Sequence, residues 1–134
     1  MRIVVDTGIF SASISRRRRQ RFETEIALMA GNQIFLAATT VSELRYGALV
    51  AGWSEVRRER LEEAIQATTV IPVSNKLLTT TAELRFACRL AGHPLHDRTH
   101  ANDLWIAASA VQINAPLLTG DSVFNDAPGL TLHK

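Results

Sequence analysis

The sequence has 134 residues, 46% of them hydrophobic and 21% charged, with a formal net charge of +2 at pH 7. This length predicts a single domain over residues 1–134. No apolar run approaches the ~20 residues that span a bilayer, so we do not expect a membrane protein. The first residues lack the apolar core of a signal peptide, so we expect a cytoplasmic location. The only cysteine, Cys88, excludes an intrachain disulfide and is expected in the core.

The apolar residues change their period along the chain in a regular way. In chain order, the first part is predicted to contain a strand at 3–5 with a turn at 6–8, a helix through Phe22, Ile26 and Met29, and a strand at 33–38. Two helices at 40–51 and 54–66 follow, and then an edge strand at 70–73. The last part is predicted to contain helices at 75–91 and 102–113, a strand at 117–119 and a short strand at 130–132. Strands that alternate with such helices predict an α/β fold with a central, mostly parallel sheet flanked by helices.

The segment VVDTGIF, residues 4–10, raises an alternative to this α/β interpretation. An apolar strand that runs into Asp-Thr-Gly is typical of aspartic proteases, and a short chain with one copy would form half of a homodimer. Proteases of the retroviral type are almost wholly β, whereas the periodicity of this chain is mostly helical. The pattern therefore favours another chemistry for Asp6.

Three acidic residues are predicted at one edge of the sheet, and a fourth joins them if its helix starts at the same edge. Asp6 and Asp121 follow strands, Glu43 lies near the start of the helix after the second strand, and Asp103 opens an apolar helix. The carboxyl ends of parallel strands meet at the same edge, where ligands bind. Each acid also has a structural explanation, because Glu43 completes a capping-box spacing with Thr40, Asp103 suits a helix N-terminus, and aspartate is common in turns.

A cluster of carboxylates needs a counter-charge. Two like charges 4 Å apart repel by about 4 kcal/mol at an effective dielectric constant near 20. Two carboxylates can share a proton, but four indicate hard divalent cations such as Mg²⁺ or Mn²⁺. Such cations activate water and stabilise a leaving oxygen in phosphodiester cleavage.

Four segments resemble PIN-domain ribonucleases of the VapC toxin type, in the same order and over nearly the whole chain. They are VVDTGIF, TTVSELRYGA, HANDLWIAASA and LLTGDSVFNDAPGL. The resemblance implies a three-layer PIN-like fold and a Mg²⁺- or Mn²⁺-dependent endoribonuclease that cuts transfer or ribosomal RNA. It implies that the catalytic, metal-holding acids are Asp6, Glu43, Asp103 and Asp121. It also implies a homodimer and a cognate antitoxin that inserts a segment into the active-site groove.

Further positions match or depart from this family pattern. Thr119 matches a hydroxyl near the metal, and Asn102 matches a residue that often precedes the third acid. Gly8 stands where relatives often have Asn or Ser. Val123 stands before Phe124 where relatives often have an acid, which leaves Asp126 as an alternative to Asp121.

An arginine run follows the first strand. All but two of the 15 basic residues are arginine, and Arg16, Arg17, Arg18 and Arg19 are consecutive, with Arg21 two residues further on. Four cations at the start of a helix oppose the helix dipole, which favours contact with RNA phosphates or with the antitoxin over a purely solvated role.

Three alternatives remain beside the ribonuclease. His93, His96 and His100 lie close together, but Gly92 and Pro94 predict a loop there, and the spacing does not favour a zinc site. A PIN-like module that binds nucleic acid together with its antitoxin, without strong catalysis, is one rival function. A DNA-directed nuclease is the other.

Overall fold

The computed structural model describes residues 1–134 and contains one sheet of four parallel strands in the order β3-β2-β1-β4. The strands are β1 (Arg2–Val5), β2 (Gln33–Ala37), β3 (Thr69–Ile71) and β4 (Leu117–Leu118). The prediction of a parallel sheet is confirmed, and β3 lies at an edge as expected. It ends before Pro72, however, and the predicted strand at 130–132 is a single bridge between Leu132 and Leu117.

Six α-helices surround the sheet. They are α1 (Thr7–Ser13), α2 (Glu23–Ala27), α3 (Ala38–Val50), α4 (Glu55–Gln66), α5 (Asn75–Ala91) and α6 (Ala101–Gln112). Short 3-10 turns occupy Arg19–Phe22, Pro94–His96, Arg98–His100 and Ser122–Phe124. None of these helices is both long enough and apolar enough to cross a bilayer.

The sheet separates two hydrophobic cores because successive strand side chains point to opposite faces. Val4 and Leu117 belong to the core that α5 and α6 cover. Ile3 and Val5 belong to the second core, which contains buried residues of α1, α3 and α4. Helices therefore cover both faces, as the predicted three-layer fold requires. Cys88 is fully buried in the first core, as expected.

The region after β1 differs from the prediction. Asp6 does not begin a simple turn but is the N-cap of α1, and its side chain accepts a hydrogen bond from the backbone N–H of Ile9 at 2.9 Å. The helix is only seven residues long, which is too short for its apolar period to be recognised against the preceding strand. The predicted helix through Phe22 and Met29 is also wrong in extent, since a 3-10 turn precedes the short α2.

The predicted capping box at Thr40 is wrong. Helix α3 begins at Ala38, directly after the last residue of β2, and its N-cap residue Ala37 forms no side-chain cap. Thr40 is therefore a buried residue inside the helix, and Glu43 lies beyond the first turn. Glu43 thus has no capping role.

Candidate active site

The strand order places a crevice beside the carboxyl end of β1. Strand β1 pairs with β2 on one side and with β4 on the other, so the strand order reverses at this point of the sheet. Parallel sheets bind ligands outside the carboxyl ends of the strands at such a switch point. A cleft of about 560 Å³ lies there, and its acidic lining residues are Asp6, Glu43, Asp103 and Asp121.

Asp6 is the most restrained carboxylate of this acidic cleft. Only 7% of the residue is exposed, and its side chain accepts hydrogen bonds from the Ile9 N–H and from the hydroxyl of Thr119. Burial raises the pKa of Asp6, the two hydrogen bonds partly counteract that rise, and the carboxylates of Asp121 and Asp103 add to it. The fold therefore holds this carboxylate where its negative charge is unfavourable unless a cation is near.

Glu43 is held by a threonine that the sequence did not single out. The hydroxyl of Thr7 donates to Oε1 of Glu43 at 2.9 Å and lies 3.1 Å from the hydroxyl of Thr40. Burial raises the pKa of Glu43, the Thr7 hydrogen bond opposes the rise, and the carboxylate of Asp103 adds to it. The only sequence signal for Thr7 is its position directly after Asp6.

The other two acids are positioned by the elements that carry them. Asp103 lies in the first turn of α6, with Oδ2 3.3 Å from Nδ1 of His100. Asp121 caps the 3-10 turn Ser122–Phe124 by accepting from the Val123 N–H at 3.0 Å. The Asp121 backbone N–H donates to the Thr119 hydroxyl at 3.0 Å, so Thr119 links Asp121 to Asp6.

The structure brings the four predicted acids together and leaves three other candidates outside the lining of the cleft. Thr119 lies behind the cleft as a hydrogen-bond donor to Asp6. Asn102 is exposed and does not line the cleft. Asp126 has a positive φ of 61° and also lies outside the lining, so the arrangement favours Asp121 as the fourth acid. The catalytic and metal-binding roles of these residues stay predictions.

The arginine run does not line the acidic cleft. Arg16, Arg17 and Arg18 line a neighbouring groove of about 880 Å³, which shares Thr7, Gly8 and Glu43 with the cleft. Arg19 instead donates to the carbonyl of Ser13 at 2.9 Å. The basic residue that does line the acidic cleft is Arg21, next to the aromatic Phe22.

The groove contains a second basic element that sequence reasoning missed. The guanidinium of Arg57 lies over the ring of Trp53, 4.0 Å from its centroid, and both residues line the groove. In the sequence, Arg57 alternates with glutamates, which predicts an ordinary exposed helix face. The apolar part of the groove lining includes Leu44, Ala48 and Leu61.

The three clustered histidines have separate surroundings. His93 is buried, with Nε2 2.8 Å from the carbonyl oxygen of Asn125 and Nδ1 accepting from the Leu95 N–H at 3.2 Å. His96 is half-buried, and His100 contacts Asp103.

The chemistry of the acidic cleft fits a hard divalent cation. Mg²⁺ takes oxygen ligands and is usually held by one or two carboxylates while it keeps several waters. No three histidine, cysteine or acidic side chains lie close enough together to hold one ion directly. The four carboxylates nevertheless line one cleft, and nearby carboxylates help to raise the pKa of Asp6 and Glu43, which suits a Mg²⁺ or Mn²⁺ ion that keeps several waters.

A parallel α/β sheet with an acidic cleft at its switch point defines an α/β protein whose site suits divalent cations and phosphate chemistry. The PIN domain family model matches residues 3–130, and the chain belongs to the PIN-domain family. The chain is 32% identical over 123 residues to Ribonuclease VapC5 of Mycobacterium tuberculosis, with 90% of this chain and 84% of that protein covered. It is thus homologous to the VapC ribonucleases.

Two solved structures of toxin–antitoxin proteins are similar to the whole chain. One is a chain of VapBC2 from Rickettsia felis, whose structure was solved bound to a DNA fragment from the VapBC2 promoter. It is 26% identical to this chain with a TM-score of 0.79, and the match covers 99% of this chain and 98% of the other. The other is a chain of VapBC-5 from Mycobacterium tuberculosis, a member of the VapBC family of toxin-antitoxin systems. It is 27% identical to this chain with a TM-score of 0.69, and the match covers 99% of this chain and 98% of the other. The PIN-like α/β fold is thereby confirmed.

Proposed function

We propose that this chain is a Mg²⁺- or Mn²⁺-dependent endoribonuclease toxin that cleaves phosphodiester bonds in structured RNA, either transfer or ribosomal RNA. Its homology to a VapC ribonuclease supports the reaction class. The observation that carries the proposal is the convergence of four carboxylates, from four separated parts of the chain, on one cleft.

The chain's own residues would hold and orient the cation. Asp6, fixed by its two hydrogen bonds, and Glu43, held by Thr7, provide preorganised oxygen ligands on one side of the cleft, with Asp103 and Asp121 completing the set. When bound, a divalent cation supplies Lewis-acid activation of water and neutralises charge that develops on the phosphate. The Thr119 hydroxyl donates to the ionised form of Asp6 and so favours the form that binds a cation.

Two variants that remove one negative charge each test this proposal. Asp103→Asn is expected to lower metal-dependent cleavage of total transfer or ribosomal RNA by at least about a hundredfold, in line with the loss of a group that stabilises transition-state charge. Asp126→Asn is the matched control, because Asp126 lies outside the cleft and Asn tolerates its positive φ. Equal activity of the two variants would exclude the four-acid site.

The rival functions predict different results in the same assay. A binding module would bind RNA or DNA without metal-dependent cleavage in any variant. A DNA-directed nuclease would cleave single-stranded DNA in preference to RNA when the two compete. Mapping of the RNA ends after controlled expression would identify the natural substrate.

The proposal includes a small cognate antitoxin and a homodimer. The similar VapBC structures contain toxin–antitoxin proteins, which supports a partner of this kind. The groove beside the acidic cleft combines apolar residues with arginines, which suits a partner segment with apolar and acidic side chains. Light scattering after size-exclusion chromatography measures whether the chain alone is a dimer.

A further inference from the structure

Arg21 occupies an unusual position for a basic residue. It is the only cation among the twelve residues that line the acidic cleft, where the acidic residues are four. The two salt bridges of the structure, Arg45 with Glu62 and His100 with Asp103, do not involve it. A guanidinium beside four carboxylates that pairs with none of them is available to an anionic ligand.

The position of Arg21 is defined by an aromatic neighbour. Its guanidinium lies over the ring of Phe22, 5.3 Å from the ring centroid. Phe22 is half-buried and packs against the core that contains α1, α3 and α4. The Arg21 side chain is exposed, but this contact directs its charged end along the wall of the cleft.

The Phe22 ring lies directly against the loop that carries the fourth acid. A β-carbon on Gly120 would lie 2.8 Å from Cε1 of Phe22, so only glycine leaves room for the ring. Gly120 directly precedes Asp121. Because Gly120 has no side chain, the Arg21–Phe22 pair can lie beside Asp121 in the cleft.

We infer that Arg21 binds an RNA phosphate next to the one that is cleaved, with the Phe22 ring as its support. This inference rests on the proposed function and deepens it. A cleft with four carboxylates repels the RNA backbone except where cations neutralise it, and the phosphates that flank the reacting one need a cation from the protein. The arginine fork matches phosphate oxygens, and the cleft has no other basic residue for this task.

RNA binding without turnover tests the inference. In an Asp103→Asn background, which the proposed function makes inactive, and with Mg²⁺ present, fluorescence anisotropy of a labelled mixed-sequence RNA oligonucleotide is measured over a range of salt concentrations. Arg21→Ala is expected to raise Kd about three- to tenfold and to reduce the slope of log K against log salt by about 0.7, the loss of one phosphate contact on a single strand. A purely structural role would not change this slope.

Arg58→Ala is the matched control, since Arg58 is exposed on α4 and lines neither the cleft nor the groove. It removes the same charge and is expected to change Kd by less than about twofold. In the otherwise unchanged protein, Arg21→Ala should raise KM for total transfer RNA and leave kcat within about twofold. The reason is that a contact to a flanking phosphate stabilises the bound substrate and the transition state equally.

Three outcomes separate this inference from the proposed function. A larger Kd and a smaller salt slope for Arg21→Ala than for Arg58→Ala support it. If the unchanged protein cleaves RNA but the two variants have equal Kd and slope, Arg21 is not a phosphate-binding residue and the nuclease proposal stands. If the unchanged protein neither binds nor cleaves RNA, both are wrong.

Discussion

At the scale of single residues, the site depends on how the protein treats the charge of Asp6. The pKa of Asp6 is raised by burial, and the Thr119 hydrogen bond opposes that rise. Thr119→Val removes this bond, so we expect the pKa to rise further and the acidic limb of the pH–rate profile to move to higher pH. Activity should fall more at mildly acidic than at alkaline pH. Thr69→Val on the exposed side of β3 is the control, and an unshifted profile for Thr119→Val would contradict the role of this hydroxyl.

The same carboxylate makes the stability of the protein depend on pH. Because the folded-state pKa of Asp6 is above the ordinary value, the folded chain binds its proton more tightly than the unfolded chain does. The free energy of unfolding should therefore fall as pH rises from the ordinary carboxyl range through the raised pKa. Asp6→Asn should reduce this fall and should unfold at higher urea concentration than the unchanged protein at pH 7 with chelator present. A lower midpoint for Asp6→Asn at that pH would contradict the unfavourable burial of the charge.

At the scale of structural elements, Gly120 allows the loop after β4 to pack against the turn Arg19–Phe22. Gly120→Ala would place a β-carbon 2.8 Å from Phe22 and 3.5 Å from Ile9. We expect a loss of about 1–2 kcal/mol in the free energy of unfolding, the usual cost of an overpacked contact. Gly47→Ala in α3 has no atom within 4 Å of its β-carbon and should stabilise the protein by about 0.5–1 kcal/mol. Denaturant titration measures both, and equal effects would show that the ring moves freely.

His93 joins the turn after α5 to the last acidic block. Nδ1 accepts from the Leu95 N–H, so Nε2 carries the hydrogen that bonds the carbonyl of Asn125. His93→Ala should cost about 2–3 kcal/mol, because it removes a buried side chain and leaves two backbone groups without partners. His96→Ala is the control, since the half-buried His96 ring makes no hydrogen bond. Thermal unfolding distinguishes the two, and similar midpoints would show that His93 is not a structural link.

The elements show why the sequence predicted the site better than its surroundings. Strand and helix periods put Asp6, Glu43 and Asp121 after the strands, and the parallel sheet brings these strand ends together. The sequence did not predict α1, because seven residues are too few to show a helical repeat of apolar positions. It assigned Thr40 to a helix cap, because the residue spacing does not show that β2 continues into α3 without a linker. Thr7 was not recognised as a cleft residue, since its partner Glu43 lies far away in the sequence. The sequence grouped Arg21 with the arginine run, although it alone of that group lines the acidic cleft.

At the scale of the whole molecule, acidic and basic surfaces lie side by side. The acidic cleft and the arginine-lined groove meet at Thr7, Gly8 and Glu43. The net charge of +2 conceals this separation, because Arg16, Arg17 and Arg18 line the groove, whereas the three aspartates Asp6, Asp103 and Asp121 line only the acidic cleft. A ligand that spans both recesses would meet opposite charges at its two ends.

This separation predicts that partner binding and RNA cleavage can be altered independently. Replacing Arg17 and Arg57 together with glutamate reverses charge in the groove and leaves the acidic cleft unchanged. If an acidic antitoxin segment occupies the groove, this double variant should bind its antitoxin at least about tenfold more weakly, through loss of attraction and new like-charge repulsion. Its cleavage of a short RNA should stay within a fewfold of the unchanged protein. Isothermal titration calorimetry with the proposed cognate antitoxin measures the first effect, and Asp103→Asn should show the opposite pattern, with binding kept and cleavage lost. Antitoxin affinity that is unchanged in the double variant would place the partner elsewhere on the protein.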